Sequence, residues 1–420
     1  MTKKQTTSRQ KMTDIVLWGA TSFVGRLLTE YLWPRYGATD EIRMAIGGRS
    51  RSRLEEVHRM VNADGRLGVL VGDASDEDFL GTMARNARVV ISTVGPYARY
   101  GSPLVAACAA AGTDYCDLTG EPQWIRRMID AHQKTAATSG ARIIHTCGFD
   151  SIPSDLGVLF LQEEAQKRFG HALPQVKLRV AAIRGGLSGG TVASILNVAE
   201  EMRRDPEVVK WAKNPFSLAP EGMRRGVRQP NVSGPAYDRD LNRWVSPFIM
   251  AAVNTKVVHR SNALLGYPWG KSFQYDEAMV MGKGIKGAFQ ATAFSVGLGA
   301  FFMGALFAPT RFMMAKTFLP KPGEGPSREE RETGFFKLHL IGKDQEGNQL
   351  SAMVTGDRDP GYGSTSKMLG ESAVCLLKDI DDSSPAGGFW TPASGMGRAL
   401  INRLSVHAGL TFEIPEERIL

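Results

Sequence analysis

The sequence is poor in cysteine and has no cysteine pair of metal-binding spacing. Its 420 residues include four cysteines, and no two of them form a CxxC pair. This scarcity excludes a disulfide-rich scaffold, and the spacing offers no zinc site, so we expect no bound metal. Isolated thiols within apolar runs are typical of core positions and predict a reducing, cytoplasmic setting.

The sequence also lacks a strong charge bias and an apolar leader. Lysine and arginine exceed aspartate and glutamate by 51 to 43, which gives a net charge of +8. This excess permits an anionic ligand or a membrane surface, and we do not expect nucleic acid as a partner. Residues 1–11 are polar and basic, so a disordered tail over 1–12 is expected rather than a secretory signal.

Apolar runs alternate with helical patterns along the first third of the chain. We predict strands at 14–18, 42–46, 67–71, 89–93, 114–116 and 141–145. Amphipathic helical patterns separate these runs. Alternation of this kind, with strands that are apolar throughout, predicts an α/β fold with a Rossmann-type, doubly wound parallel sheet.

After residue 154 the alternation gives way to a mixed pattern. A strand is predicted at 176–182, a helix at 191–202, a hairpin of 335–341 with 349–354, and helices at 364–377 and 395–408. Residues 203–250 are rich in arginine, proline and asparagine, which predicts loops.

A glycine-containing turn joins the first predicted strand to the first helix. Its pattern is GxxSxxG rather than GxGxxG. The first glycine allows a sharp turn and the last allows close packing of helix on sheet, while the helix N-terminus would hold a pyrophosphate. The serine can donate a hydrogen bond to phosphate. The predicted dinucleotide contacts in this turn are Gly19, Thr21, Ser22, Phe23, Val24 and Gly25.

The end of the second predicted strand indicates which dinucleotide is bound. Arg49 and Ser50 stand near the position where NAD-binding proteins carry an acidic residue. A guanidinium pairs with a 2′-phosphate that a carboxylate would repel, so these residues predict NADP(H). Asp73, after the third strand, is either an acceptor for the adenine amino group or a helix cap. Three residues after the fourth strand should pass the nicotinamide ribose: Thr93, Gly95 and Pro96.

Longer motifs carry a family resemblance. They include TVGPYARYG at 93–101, AACAAAGTDYCDLTGE at 106–121 and CGFDSIPSD at 147–155. The chain resembles the saccharopine dehydrogenase-like oxidoreductases, and among them the mycobacterial trans-acting enoyl reductases of phthiocerol-type lipid synthesis. The resemblance implies three parts: an NADP-binding Rossmann domain at 13–153, an inserted α+β substrate and dimerisation domain at 154–355, and C-terminal helices at 356–420 that return to the first domain.

Polar side chains follow the fourth, fifth and sixth predicted strands, at the edge where the nicotinamide should lie. Enoyl reduction needs a proton at the α carbon and hydrogen-bond donors to the developing enolate oxygen. We predict Tyr97, Asp150 and Ser151 for these roles, while Asp117 and Glu121 reach the same edge. The alternative is structural: Tyr97 as an aromatic wall, and Asp150, Ser151 and Glu121 as helix caps.

No charged residue occurs from 287 to 310, a run long enough to span a bilayer. Positive charge flanks both ends and gives no orientation bias. Three alternatives remain open: a transmembrane helix, a helix that dips into a membrane surface, and a helix buried at a subunit or domain interface. The second alternative suits a lipid-modifying enzyme and predicts peripheral association with the plasma membrane.

These features predict an NADPH-dependent enoyl reductase that acts in trans on a polyketide or lipid intermediate. The expected partners are a hydrophobic acyl substrate, a synthase carrier protein, a membrane surface and a second copy of the chain. One alternative is a saccharopine-type C–N oxidoreductase, which would need a cation such as Arg179, Arg184 or Arg260 in its cleft. Another is a catalytically silent nucleotide-binding protein at a lipid surface.

Overall fold

A computed structural model describes residues 11–186, 189–318, 325–381 and 385–416. Most of the predicted disordered tail, residues 1–10, lies outside the described residues. The strands, in chain order, are β1 (Thr13–Trp18), β2 (Met44–Gly48), β3 (Gly68–Val71), β4 (Ala87–Ser92), β5 (Asp114–Asp117), β6 (Arg142–Ile144), β7 (Gln175–Arg184), β8 (Ala236–Asp238), β9 (Arg243–Pro247), β10 (Gln274–Gly282), β11 (Phe335–Lys343), β12 (Gln349–Gly356), β13 (Gly388–Trp390) and β14 (Leu410–Glu413).

Helices connect these strands, and three of them are extended by short π-helical turns at Trp33–Gly37, Pro360–Ser364 and Leu404–Ala408. The helices, in chain order, are α1 (Phe23–Leu32), α2 (Arg51–Met60), α3 (Glu77–Asn86), α4 (Tyr97–Tyr100), α5 (Ser102–Ala111), α6 (Pro122–Ser139), α7 (Ile152–Phe169), α8 (Gly189–Arg204), α9 (Pro206–Lys213), α10 (Ala251–Leu264), α11 (Gly284–Leu306), α12 (Ala308–Phe318), α13 (Arg328–Thr333), α14 (Thr365–Lys378), α15 (Pro392–Gly395) and α16 (Gly397–Arg403).

The first sheet has the strand order β3-β2-β1-β4-β5-β6-β13, and all of its pairings are parallel. The central strand β1 is buried from residue 14 to residue 18, as expected when helices cover both faces. The sequence therefore predicted the Rossmann-type sheet correctly. Reversal of the strand order between β1 and β4 creates the crevice in which such sheets bind dinucleotides.

The second sheet is mixed, with the strand order β14-β12-β11-β7-β10-β9-β8. The predicted hairpin is confirmed as β11 and β12, which pair antiparallel. The prediction of loops over 203–250 is wrong, because this stretch contains α9, β8 and β9. These strands are only three and five residues long, too short to show a clear alternation of apolar and polar residues.

The C-terminal segment contributes to both sheets. The α14 helix packs on α1, β4 and β5 of the first sheet. The prediction of helices alone is incomplete here, because β13 extends the first sheet at β6 and β14 extends the second at β12. The largely buried helix α7 contacts β11, β12, α10 and α16, and its N-terminus faces the carboxyl edge of the first sheet.

Candidate active site

The turn between β1 and α1 has the close packing that a pyrophosphate site requires. Gly19 has a φ of +91°, and a Cβ atom there would lie 2.7 Å from Thr93 Oγ1. A Cβ atom at Gly25 would collide with the carbonyl oxygen of Gly19. Both glycines are therefore required by geometry, and Thr21 lies beside Gly48 at the adjoining end of β2.

The Ser22 side chain shapes this turn through hydrogen bonds to two neighbouring residues. Its hydroxyl oxygen accepts from the Gly25 N–H at 2.9 Å and lies 3.0 Å from Thr93 Oγ1. Thr93 has one hydroxyl proton and donates it to the carbonyl oxygen of Gly19 at 2.9 Å. Ser22 therefore donates to Thr93 in this conformation, and its contact with phosphate stays a prediction. The phosphate donors that remain are the N–H groups of Phe23 and Val24 in the first turn of α1.

The adenine end of the site lies where β2 and β3 end. Arg49 is exposed, and among the described residues its guanidinium forms no ion pair. Ser50 caps α2 by accepting from the Arg53 N–H at 3.4 Å. Hydrogen bonds from Ser75, aided by the Arg49 charge, hold the pKa of Asp73 below its usual range. The cap of α3 is Asp76, so the capping alternative for Asp73 is wrong. This end therefore offers a free cation for a 2′-phosphate.

The loop after β4 carries Gly95 and Pro96 and leads into α4. Tyr97, the first residue of α4, is buried, and its hydroxyl donates to the carbonyl oxygen of Ser92 at 2.9 Å. Its ring packs on Trp124 with the centroids 5.4 Å apart. Burial and the nearby Asp117 raise the pKa of Tyr97 well above its usual value. In this geometry Tyr97 acts as an aromatic wall, and its proton is not available to a substrate.

Glu121 joins the cofactor half of the molecule to α8. Its carboxylate accepts from the N–H groups of Tyr97 at 2.8 Å and Ala98 at 3.1 Å, and from the Ser194 hydroxyl at 3.0 Å. It therefore caps α4 and not α6, the helix for which a cap was expected. Burial raises the pKa of Glu121 in spite of these hydrogen bonds, which lower it.

We expect Glu121→Gln to destabilise the protein by about 1–3 kcal/mol, because an amide NH₂ would face one of the two backbone donors. Urea denaturation at neutral pH measures this change, with Glu55→Gln on the exposed side of α2 as the matched control. Equal midpoints for the two variants would contradict the assigned role of Glu121.

Ser151 and Asp150, just before α7, have different surroundings. The Ser151 hydroxyl is buried and donates to Asn254 Oδ1 at 3.0 Å, so it neither caps α7 nor reaches the crevice. The Asp150 carboxylate lies in a recess beside Gly120 and Met250. Among the described residues it has no hydrogen-bond donor, and burial raises its pKa to about 7. Of the three predicted catalytic residues, Asp150 alone keeps an available proton.

A polar network connects the Asp150 loop to a cavity in the second half of the molecule. Asn254 accepts from Ser151 and donates to Ser154 at 3.1 Å and to Glu277 at 2.9 Å. Tyr275 donates to the same Glu277 carboxylate at 2.6 Å. Burial raises the pKa of Glu277 to about 7. Sequence reasoning missed this network, because its members come from α7, α10 and β10 and share no local pattern.

The cavity has a volume of about 930 Å³, enough for a sizeable organic ligand. Its polar side includes Thr255, Lys256 and Glu277, and burial lowers the pKa of Lys256 to about 8. Its apolar side includes Phe248, Ile249, Leu298 and Phe302, and its rim includes Arg225 and Arg228. A ligand with an apolar chain and a polar or anionic end would suit this lining.

Of the three arginines that the sequence suggested for a dicarboxylate substrate, two are engaged in buried contacts. Arg179 is buried in ion pairs with Asp238 and Asp276. Arg260 is buried and donates to the carbonyl oxygens of Leu218 and Phe389. Arg184 is exposed at the end of β7. None of these three arginines lines the cavity described above, whose cations include Lys256, Arg225 and Arg228.

A pair of buried, hydrogen-bonded polar side chains lies at the carboxyl edge of the first sheet. Asp117 and His145 are joined by a hydrogen bond of 2.7 Å between Oδ2 and Nδ1, and Tyr115 donates to the same carboxylate oxygen at 3.0 Å. The rings of Trp124 and Phe389 enclose the imidazole. Asp117 ends β5 and His145 directly follows β6, so their buried hydrogen bond links the ends of these two strands.

Comparison with known proteins identifies the family. Residues 15–144 match the family described as the saccharopine dehydrogenase NADP binding domain. A Mycobacterium tuberculosis H37Rv protein, named provisionally as a trans-acting enoyl reductase, is 41% identical over 95% of this chain and 97% of its own length. The chain belongs to the saccharopine dehydrogenase-like family. A Mycobacterium ulcerans protein named trans-acting enoyl reductase is 37% identical over 94% of this chain and 96% of its own length.

The fold of this saccharopine dehydrogenase-like protein is shared with a solved structure of low sequence identity. Apo saccharopine dehydrogenase (L-Glu forming) from Saccharomyces cerevisiae aligns with 96% of the chain and 99% of its own, with a TM-score of 0.53 and 10% identity. The chain is thus an NADP-dependent oxidoreductase, with the first sheet as its NADP-binding domain. The tight turn at Gly19, the free amides of α1 and the unpaired Arg49 fit this cofactor.

Proposed function

We propose that this protein is an NADPH-dependent enoyl reductase that saturates a carbon–carbon double bond in a polyketide or long-chain acyl intermediate. The observation that carries the proposal is the identity with trans-acting enoyl reductases over nearly the whole chain. The unengaged Asp150 carboxyl and the partly apolar cavity support it. A phthiocerol-type lipid intermediate is the proposed substrate class.

The reaction needs one hydride and one proton. NADPH supplies the hydride to the β carbon when it is bound. Asp150 gives its proton to the α carbon, the double bond becomes a single bond, and the carboxylate then recovers a proton from water. Glu121 and the Tyr97 hydroxyl hold the loops after β4 and β5 in place, so the cofactor and the substrate meet in a fixed geometry.

Action in trans implies that a carrier protein delivers the substrate. The arginines between 203 and 228 belong to two parts of the fold. Arg203 and Arg204 end α8, whereas Arg225 and Arg228 lie at the rim of the cavity. We propose that the two rim arginines contact an anionic group on the carrier protein that holds the acyl chain, while the chain itself enters the cavity.

Absorbance of NADPH tests the proposed function, with α,β-unsaturated thioesters of increasing chain length as substrates. We expect oxidation of NADPH that becomes more efficient as the chain lengthens, because each buried methylene adds about 0.8 kcal/mol of binding. Oxidation only with an amino acid and an oxo acid would favour C–N chemistry instead. NADPH binding without turnover on any thioester would favour the catalytically silent alternative.

A further inference from the structure

The helix α11 is apolar, yet most of it is exposed. It is long and apolar enough to cross a membrane, and within the described chain only Gly287, Ala291 and Ala305 of its residues are buried. Ile285 is 91% exposed and Phe289 is 74% exposed, while Phe312 of the following helix α12 is 75% exposed. Monomeric proteins rarely expose a large continuous apolar surface without a partner for it.

The way α11 packs excludes a transmembrane orientation in this conformation. Near its start Gly287 packs against Gly282 of β10, and near its end Ala305 packs in a small cluster with Val192 and Leu196 of α8. Both ends of the helix therefore lie on the body of the protein, and one side is open along its length. The predicted alternative of a helix buried between domains of this chain is wrong, because one side of α11 is exposed along its length.

The charges around this face favour an anionic bilayer. The sequence has no aspartate or glutamate from 278 to 323. Lys283 and Lys286 stand at the start of α11, and Arg311 and Lys316 lie in α12. Cations beside an apolar face bind lipid headgroups while the apolar side chains enter the acyl region. A symmetric contact with a second copy would instead bring these like charges together.

The cavity of about 930 Å³ lies against the protein-facing side of α11. Leu298 and Phe302 of α11 belong to the cavity lining. The opposite side carries Thr255 and Glu277, and Glu277 is linked through Asn254 to the Asp150 loop. The helix that carries the exposed apolar residues is therefore also a wall of the cavity.

We propose that α11 and α12 dock this protein on the surface of an anionic bilayer, and that the cavity behind α11 takes its acyl substrate from the lipid. The docking surface is defined by Ile285, Phe289, Phe312, Lys286 and Lys316. Acquisition of the acyl substrate from the lipid rests on the proposed function, whereas docking does not.

Flotation of the full chain with lipid vesicles tests the docking. We expect binding to vesicles of phosphatidylcholine with about one-third phosphatidylglycerol, and weak binding to phosphatidylcholine alone. The variant Phe289→Glu/Phe312→Glu should lower binding to anionic vesicles by about tenfold or more. Lys286→Gln/Lys316→Gln should lower it by about tenfold and weaken its salt dependence, because Lys283 and Arg311 remain.

The matched control is Val406→Glu, which changes a 74% exposed apolar side chain near the C-terminus and should leave vesicle binding unchanged. NADPH binding by each variant verifies that it is folded. Equal flotation of the wild type and the Phe289→Glu/Phe312→Glu variant would overturn the proposal. A second result would also overturn it: a wild-type protein that is dimeric and does not bind vesicles, and a Phe289→Glu/Phe312→Glu variant that is monomeric. The apolar face would then contact a second copy of the chain.

The same experiment separates docking from the proposed function. Flotation that depends on Phe289 and Phe312, in a protein that reduces no thioester, would support docking and contradict enoyl reduction. Reduction of a soluble short-chain thioester by a protein that never floats would support enoyl reduction and overturn docking.

Discussion

Replacement of Arg49 by glutamate should weaken NADPH binding by about a hundredfold and leave NADH binding within a fewfold of the wild type. The wild-type guanidinium is exposed and unpaired among the described residues, so it is available to a 2′-phosphate. A charge-assisted bond to phosphate contributes about 1.5–3 kcal/mol, and a carboxylate in its place adds repulsion. NADH carries no 2′-phosphate and loses neither interaction. Fluorescence titration with both nucleotides measures the ratio.

The matched control for this variant is Arg59→Glu. Arg59 is also an exposed arginine, but it lies in the last turn of α2, away from the phosphate end. It changes the net charge by the same amount, so it accounts for any long-range effect on an anionic ligand. Equal weakening of NADPH and NADH binding by Arg49→Glu would contradict the assigned phosphate contact.

Replacement of Asp150 by asparagine should lower kcat for thioester reduction by about a hundredfold or more, the usual contribution of a positioned acid. Burial raises the pKa of the wild-type carboxyl to about 7. The protonated form is the donor, so kcat/KM should be highest below about pH 7 and fall about tenfold per unit above it. The asparagine variant should lose this decline, because an amide does not titrate in the range.

The raised pKa also affects the stability of the fold, in a direction that can be checked separately. The folded state binds the Asp150 proton more tightly than the unfolded state does, so stability falls as the pH rises from about 4 towards 7. The Asp150→Asn variant should show a weaker decline over this range in urea denaturation. Asp78→Asn, at an exposed position of α3, should resemble the wild type in both assays. Survival of the alkaline decline in kcat/KM in Asp150→Asn would contradict its role as donor.

The sequence predicts the first sheet well because its strands are continuous apolar runs separated by helices of ordinary length. β1 and β4 are predicted to within two residues at each end. Both strands are almost fully buried, and burial gives them the continuous apolar sequence that marks their bounds. The strand β13 escapes prediction because three residues, Gly-Phe-Trp, show no periodicity and become a strand only by pairing with β6. In the second sheet β7, β11 and β12 are predicted, whereas the short strands β8, β9 and β14 escape for the same reason and the longer β10 is also missed.

Part of the candidate site can likewise be predicted from the sequence, and part of it cannot. Arg49 and the glycine turn are visible in the sequence, because the chemistry of a 2′-phosphate and the need for close packing act locally. The difference between Tyr97, Ser151 and Asp150 is not visible there. It depends on which hydroxyl or carboxyl finds a partner in the folded chain: Ser92 for Tyr97, Asn254 for Ser151, and none among the described residues for Asp150.

The central claim is that this protein transfers hydride from NADPH to a carbon–carbon double bond. The most direct measurement uses NADPH deuterated at the transferable position and a long-chain α,β-unsaturated thioester, with mass spectrometry of the product. We expect a saturated thioester that carries one deuterium at the β carbon and one solvent hydrogen at the α carbon. Recovery of the thioester unchanged, together with deuterium found in an amine product from an oxo acid, would contradict the claim.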